Sequence, residues 1–220
     1  IDEDFFVSRY KYLETLNTDW LSLLTRNGFS QNQFLSFSGG NSKSSFVASL
    51  SYNSVEGIEK GNNSNRFSGR INSRFELNKK MRLDLSLMGS SSQTLGYAAG
   101  VNPQSYAINT SRNIPVFKED GSLNYYYKND YYKYNTNTQQ TGLHYNILNE
   151  IENTYSTTNN PQVYASLNFN WELSKLFTYQ LTAGYKQSMR SSEALADQNS
   201  FYVTKNLRGY DYGTVDPGSA

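Results

Sequence analysis

The 220-residue chain is polar, 37% hydrophobic and 18% charged, yet 15% aromatic with 19 Tyr and 12 Phe. Low charge with abundant Tyr, Asn, Ser and Thr favours β structure with wet loops over helices, and regularly placed aromatics argue against disorder. A net charge of +1 makes no electrostatic case for nucleic acid, and the absence of cysteine excludes a disulfide scaffold, a thiolate zinc site and a cysteine nucleophile.

Residues 1–31 read as a lead-in. Phe6, Tyr10, Leu13 and Leu16 recur at spacings of three and four, which predicts one or two short helices, the last ended by Asn27-Gly28. Asp19 is placed to cap a turn that starts near Trp20. The chain opens on IDEDFF, with no Met and no signal peptide, and so reads as a piece of a longer polypeptide.

Six strand-like runs follow between 32 and 189. NQFLSFSGG puts Leu35 and Phe37 on an apolar face, and SSFVASLSYNS adds Phe46, Ala48, Leu50 and Tyr52. In the third run Phe67, Ile71, Phe75 and Leu77 point one way while Arg66, Ser68, Arg70, Asn72, Arg74 and Glu76 point the other. Met81, Leu83, Leu85 and Leu87 carry the apolar row through the fourth run. PQVYASLNFNWEL continues it with Val163, Ala165, Leu167, Phe169, Trp171 and Leu173. LFTYQLTAGYKQS ends it with Phe177, Tyr179, Leu181, Ala183 and Tyr185. Connections are tight at 39–44, 78–80 and 174–175, and long at 55–65, 93–159 and from 190 to 220.

An apolar row of this kind faces either a second sheet or hydrocarbon. Period alone divides these readings evenly. No stretch has the roughly 18 apolar residues of a spanning helix, but each run covers roughly nine to thirteen residues, enough for the roughly 9–11 with which a tilted strand crosses a bilayer. Short turns at one end, long loops at the other, and aromatics near strand ends (Tyr52, Phe75, Trp171, Phe177, Tyr185) favour the membrane. The expected fold is all-β, an antiparallel up-and-down transmembrane β-barrel segment with long extracellular loops. Phe67, Ile71, Leu83, Leu85, Leu167, Phe169 and Leu181 are expected to face lipid, and Arg66, Arg70, Arg74, Asn168 and Asn170 the lumen. The rival is a soluble β-sandwich that binds carbohydrate or acts as an adhesin.

The stretches NTDW (17–20), LSFSGGNSKSSFVASLSY (35–52), EGI (56–58) and RFSGRIN (66–72) resemble the start of the barrel in TonB-dependent outer-membrane receptors of the Bacteroidetes SusC/RagA type. NIPVFKEDGSLNYY (113–126) is similar to the family's Pro-containing segment before an Asp-Gly turn, and NPQVYASLNFNWEL (160–173) to a later strand pair. The resemblance implies about six strands of a roughly 22-stranded barrel closed around a plug. It also implies import of oligosaccharides or peptides through the outer membrane of a Gram-negative cell. A SusD-like lipoprotein would cover the mouth. The TonB complex would act through a region without a counterpart here. The implied role is transport without catalysis or cofactor.

Several residues invite chemistry. LNYYYKNDYYKY holds Tyr125, Tyr126, Tyr127, Tyr131, Tyr132 and Tyr134, which could contact a ligand or the lipoprotein, or pack the loop onto the rim. The arginine ladder Arg66, Arg70 and Arg74 could hold an anionic ligand or pair with Glu76 and Asp84. His144 is the only histidine, and GLHYNIL does not resemble a nucleophile elbow. Asp211 and Asp216 flank a Gly-containing turn without the spacing of a calcium loop, and EDGS (119–122) is a turn signal.

Overall fold

The computed structural model describes residues 2–129 and 142–204, with the backbone alone at 127–129 and 142–144. Two helices lead in, α1 (Glu3–Thr15) and α2 (Trp20–Leu24). Asp19 caps α2 as expected, its carboxylate accepting from the Ser22 amide at 3.3 Å. The helix ends at Leu24, before Asn27-Gly28, because Thr25 turns extended and bridges to Glu59. No described helix is long and apolar enough to cross a membrane.

The strands are β1 (Phe29–Gly40), β2 (Ser44–Glu56), β3 (Asn63–Asn78) and β4 (Met81–Gly96). After α3 (Pro103–Asn109) come the short pair β5 (Tyr126–Asn129) and β6 (Gly142–Tyr145), then α4 (Ile147–Asn153). The sheet resumes with β7 (Thr154–Glu172), β8 (Thr178–Ser188) and β9 (Ser191–Ala196). Neighbours run β1-β2-β3-β4-β7-β8, antiparallel and in up-and-down order, with β9 also on β7. β1 and β8 each have one neighbour among the described residues, so the sheet is open.

The strands outrun their apolar patterns. β4 reaches Gly96 and β7 starts at Thr154, so the connection expected over 93–159 narrows to 97–153. β9 likewise carries strand past the expected boundary at 189. It continues β8 in the same register, since Gln162 faces Ser188 and Asn159 faces Ser191. The gap falls where Pro161 meets this strand. Its carbonyl accepts from the Met189 amide at 3.0 Å, but proline has no N–H to return. Leu77 also departs from expectation. A bulge between Glu76 and Asn78 leaves it without a partner on β4, out of the row that ends at Phe75.

The tight turns follow from their asparagines. Asn41 Oδ1 accepts from the amides of Lys43 and Ser44 at 2.8 and 2.9 Å, and Asn78 Oδ1 accepts from the Lys80 amide at 2.8 Å. Gly40 allows the first turn to close, since a Cβ there would lie 2.5 Å from the Ser44 carbonyl oxygen. At the opposite end the long connection folds back on α2. Its small core holds Trp20, Leu24, Ala107, Val116, Tyr145 and Ile147. The sheet is therefore one layer, and its apolar face lies outside the core.

Candidate functional site: a two-faced wall and its cap

Register joins the apolar rows into one face. Across the strands Phe37, Ala48, Ile71, Leu87, Ala165 and Tyr185 stand in line, and Leu83, Phe169 and Leu181 form a second line. All seven residues expected to face lipid share this side. Phe67 and Leu181 remain 54% and 44% exposed, and no second sheet among the described residues covers them. The soluble sandwich needs such a sheet and is not supported.

The apolar window has a defined height. On β7 it runs from Val163 to Trp171, beside Gly89 to Met81 on β4. That is about 27 Å of strand, or about 21 Å of height at a tilt of about 40°, close to the roughly 25 Å apolar band of membrane barrels. Within it no outward side chain is charged. Above it this side turns polar at Asn159 and Thr157 on β7, with Glu193 opposite Thr157 and Glu56 at the end of β2. Aromatics mark the edges: Tyr52 beside Phe67 towards the long connections, Trp171 beside Tyr179 towards the tight turns.

The opposite face holds Arg66, Arg70, Arg74, Asn168 and Asn170 together, as expected of the second set. Arg74 donates to Asp84 at 2.7 Å, and Arg82 approaches the other oxygen of Asp84 at 3.2 Å. These pairs are exposed, and each contributes only about 0–1 kcal/mol. Hydroxyls and amides complete the surface, including Ser86 to Asn72 at 2.7 Å, Thr182 to Asn168 at 2.9 Å, and Ser51 with Ser68 at 2.7 Å.

The NTDW stretch ties the strands to the cap. The Thr18 hydroxyl donates to the Ile114 carbonyl at 2.7 Å and its amide to the Arg112 carbonyl at 2.8 Å. Trp20 donates from Nε1 to the Ser111 carbonyl at 3.0 Å and meets Tyr106 edge-on at 5.1 Å. From there an aromatic chain runs through Tyr106, Tyr126, Tyr145 and Phe201. Buried Asn146 donates to the Val116 and Asn124 carbonyls at 3.1 and 2.9 Å while accepting from the Leu148 amide to cap α4. Glu150, 2% exposed, accepts the Phe201 amide on both oxygens at 2.9 and 3.0 Å. It thereby secures the chain after β9. Neither Asn146 nor Glu150 stands out in the sequence, but Asn102-Pro103 is an N-cap followed by proline and marks α3.

The tyrosine-rich stretch divides. Tyr126 is built into the cap, its hydroxyl accepting from the Tyr106 hydroxyl at 3.0 Å. Tyr125 lies at the surface and donates to Asn149 Oδ1 at 3.1 Å. Tyr127 contributes described backbone only, and Tyr131, Tyr132 and Tyr134 lie outside the described residues. His144 pairs its backbone with Tyr127, while Asp211 and Asp216 are also outside the described residues. The Asp-Gly turn forms as expected, with Gly121 at φ +82° and Asp120 accepting from the Ser122 amide at 2.9 Å.

Burial pushes the phenols of Tyr106, Tyr126 and Tyr145 upward from their ordinary value. In the unfolded chain they lose their protons near pH about 10. Above that pH the folded cap binds more protons than the unfolded form, so its stability is full below about pH 10 and falls as pH rises further. Amide exchange of 97–153 in the full-length protein should accelerate above about pH 10 while the strands stay protected. Retained cap protection with all three phenols ionised at the ordinary value contradicts this.

Such an open, meandering wall is a segment of an up-and-down β-barrel. Among solved structures it is similar to the RagAB peptide transporter, at 19% identity and TM-score 0.62 over 81% of this chain and 20% of that chain. It is also similar to the RagAB peptide importer in the closed-closed state, at 20% identity and TM-score 0.64 over 86% of this chain and 21% of that chain. The chain spans about a fifth of those chains, and the likeness is one of fold. No protein-family model and no curated protein matches it.

Proposed function

We propose that the chain is wall and mouth of a SusC/RagA-type, TonB-dependent transporter in a Gram-negative outer membrane. It imports peptides or oligosaccharides and is not an enzyme. The apolar window faces outer-membrane lipid, and the arginine-bearing face lines the lumen. Further strands on β1 and β8 close the barrel, because an unpaired edge in hydrocarbon leaves polar backbone groups unsatisfied. The cap, at the long-connection end, helps form the extracellular mouth that a SusD-like lipoprotein covers. The observation that carries this reading is the uncharged window, of bilayer height and one sheet thick.

The test is uptake in the source cell. Deleting the gene should abolish accumulation of at least one labelled oligopeptide or oligosaccharide mixture, and dissipating the proton gradient should do the same in the undeleted strain. The lipoprotein should co-purify with the receptor. Unchanged uptake of every mixture on deletion contradicts the proposal.

A further inference from the structure

Charge is unevenly distributed along the polar face. Towards the tight turns cations and acids mix: Arg74 and Arg82 share Asp84, with Glu76 opposite Arg82 and Glu172 near the turn. Towards the cap Arg66, Arg70 and Lys186 stand on the same face without an acid. None has an ion-pair partner among the described residues. Arg70 leans on Met88, with a guanidinium nitrogen 3.2 Å from Sδ, which offers no countercharge.

Register brings these residues together. Arg70, Met88, Tyr164 and Lys186 are successive cross-strand partners, so Arg70 and Lys186 are three strands or about 14 Å apart. Arg66 stands four residues from Arg70 along β3, about 13 Å towards the cap. The surroundings are hydroxyl-bearing, with Ser49, Ser68 and Ser90 beside the arginines. We infer that Arg66, Arg70 and Lys186, around Tyr164, form a carboxylate-binding strip that favours anionic oligomers entering the lumen. This rests on the transport reading and adds a substrate class to it.

The chemistry suits that ligand. A guanidinium fork binds a carboxylate through two parallel hydrogen bonds, and an ammonium adds a point charge. The Tyr164 hydroxyl can donate a further bond. Cations of one sign along a low-dielectric cleft also focus the field outward and concentrate anions at its entrance. A structural role within this wall predicts acids nearby, as Asp84 serves Arg74 and Arg82. Spacings of about 13–14 Å correspond to about four residues of an extended peptide, so an oligomer with several carboxylates engages the strip better than one with a single terminal group.

The experiment uses the purified full-length receptor with its lipoprotein. Four probes are compared: a glutamate-rich oligopeptide, its glutamine counterpart, a uronic-acid oligosaccharide and a neutral oligosaccharide. The wild type should prefer at least one acidic probe over its neutral counterpart, and salt should erode that preference. In the triple variant R66Q/R70Q/K186Q the acidic-over-neutral ratio should fall at least about tenfold, since each charged hydrogen bond contributes measurably. The variant R66K/R70K/K186R should restore much of it. The preferred acidic probe separates peptide from glycan as the carboxylate source. Wild-type binding without acidic preference overturns the strip and leaves transport standing. So does a preference that the triple variant retains, or equal losses for acidic and neutral probes, which would assign the charges to contacts within the receptor. If the wild type binds none of a broad set of peptides and glycans, the transport reading itself fails.

Discussion

Leu167→Arg in the full-length receptor should remove most of the folded barrel from the outer membrane, whereas Asn168→Arg, one residue on, should be tolerated. Leu167 is central in the window from Val163 to Trp171 and lines up with Leu85 and Ala183. An arginine at the bilayer midplane costs roughly 2–4 kcal/mol, and the variant also loses the leucine packing. A marginally stable fold holds only about 5–15 kcal/mol in total. Asn168 points to the other face, opposite Asp84 on β4, so an arginine there meets water and a carboxylate. The measurement is the heat-modifiable, folded fraction of each variant by semi-native electrophoresis of outer membranes. Equal folded fractions for the two variants contradict the assignment of faces.

Trp20→Ala should detach the cap while sparing the wall. Trp20 is 3% exposed, bonds the Ser111 carbonyl and packs edge-on against Tyr106. Removing a large buried aromatic costs about 3–5 kcal/mol, and here the core it leaves is small, made of Leu24, Ala107, Val116, Tyr145 and Ile147 around it. β4 and β7 stay paired along their full length below the cap, from Met81 opposite Trp171 to Gly96 opposite Ser156. Limited proteolysis of intact cells should therefore cut Trp20→Ala receptor within 97–153 at least about tenfold faster than wild type. The folded barrel band should persist. Unaltered cleavage, or loss of the barrel together with the cap, contradicts the division into two units.

The wall was legible in the sequence because its strands follow a simple rule of period two. From Phe67 to Phe75 and from Val163 to Trp171 every second side chain avoids charge, and register turns those separate rows into one face. The rule fails where the apolar window ends. Ser156 to Asn159 alternates nothing apolar, being above the window, and so reads as loop although each residue pairs with β4. Ser191 to Ala196 escapes for the same reason, with a proline-induced gap before it. Leu77 misleads in the opposite direction, since a one-residue bulge removes it from a row that its position predicts.

The cap was much less readable. Its contacts join residues far apart in the chain, such as Thr18 with Ile114 and Glu150 with Phe201, and no local period encodes them. Two stretches singled out separately, 17–20 and 113–126, prove to be one junction. Tyr126 illustrates the limit: a tyrosine among tyrosines in the sequence, it is part of the cap's aromatic chain, while Tyr125 beside it is at the surface. The cationic half of the polar face was visible only as an arginine ladder. Lys186, three strands along from the ladder on β3, joins it through register.

Nitroxide scanning from Val163 to Trp171, in full-length receptor reconstituted into outer-membrane lipid, tests the two faces most directly. Oxygen accessibility should peak at Val163, Ala165, Leu167, Phe169 and Trp171. Accessibility to a polar nickel complex should peak at Tyr164, Ser166, Asn168 and Asn170, out of phase at a period of two. Oxygen accessibility that is low throughout, or equal on odd and even positions, would mean that protein or water rather than lipid covers the row through Leu167, and the transporter account would not stand.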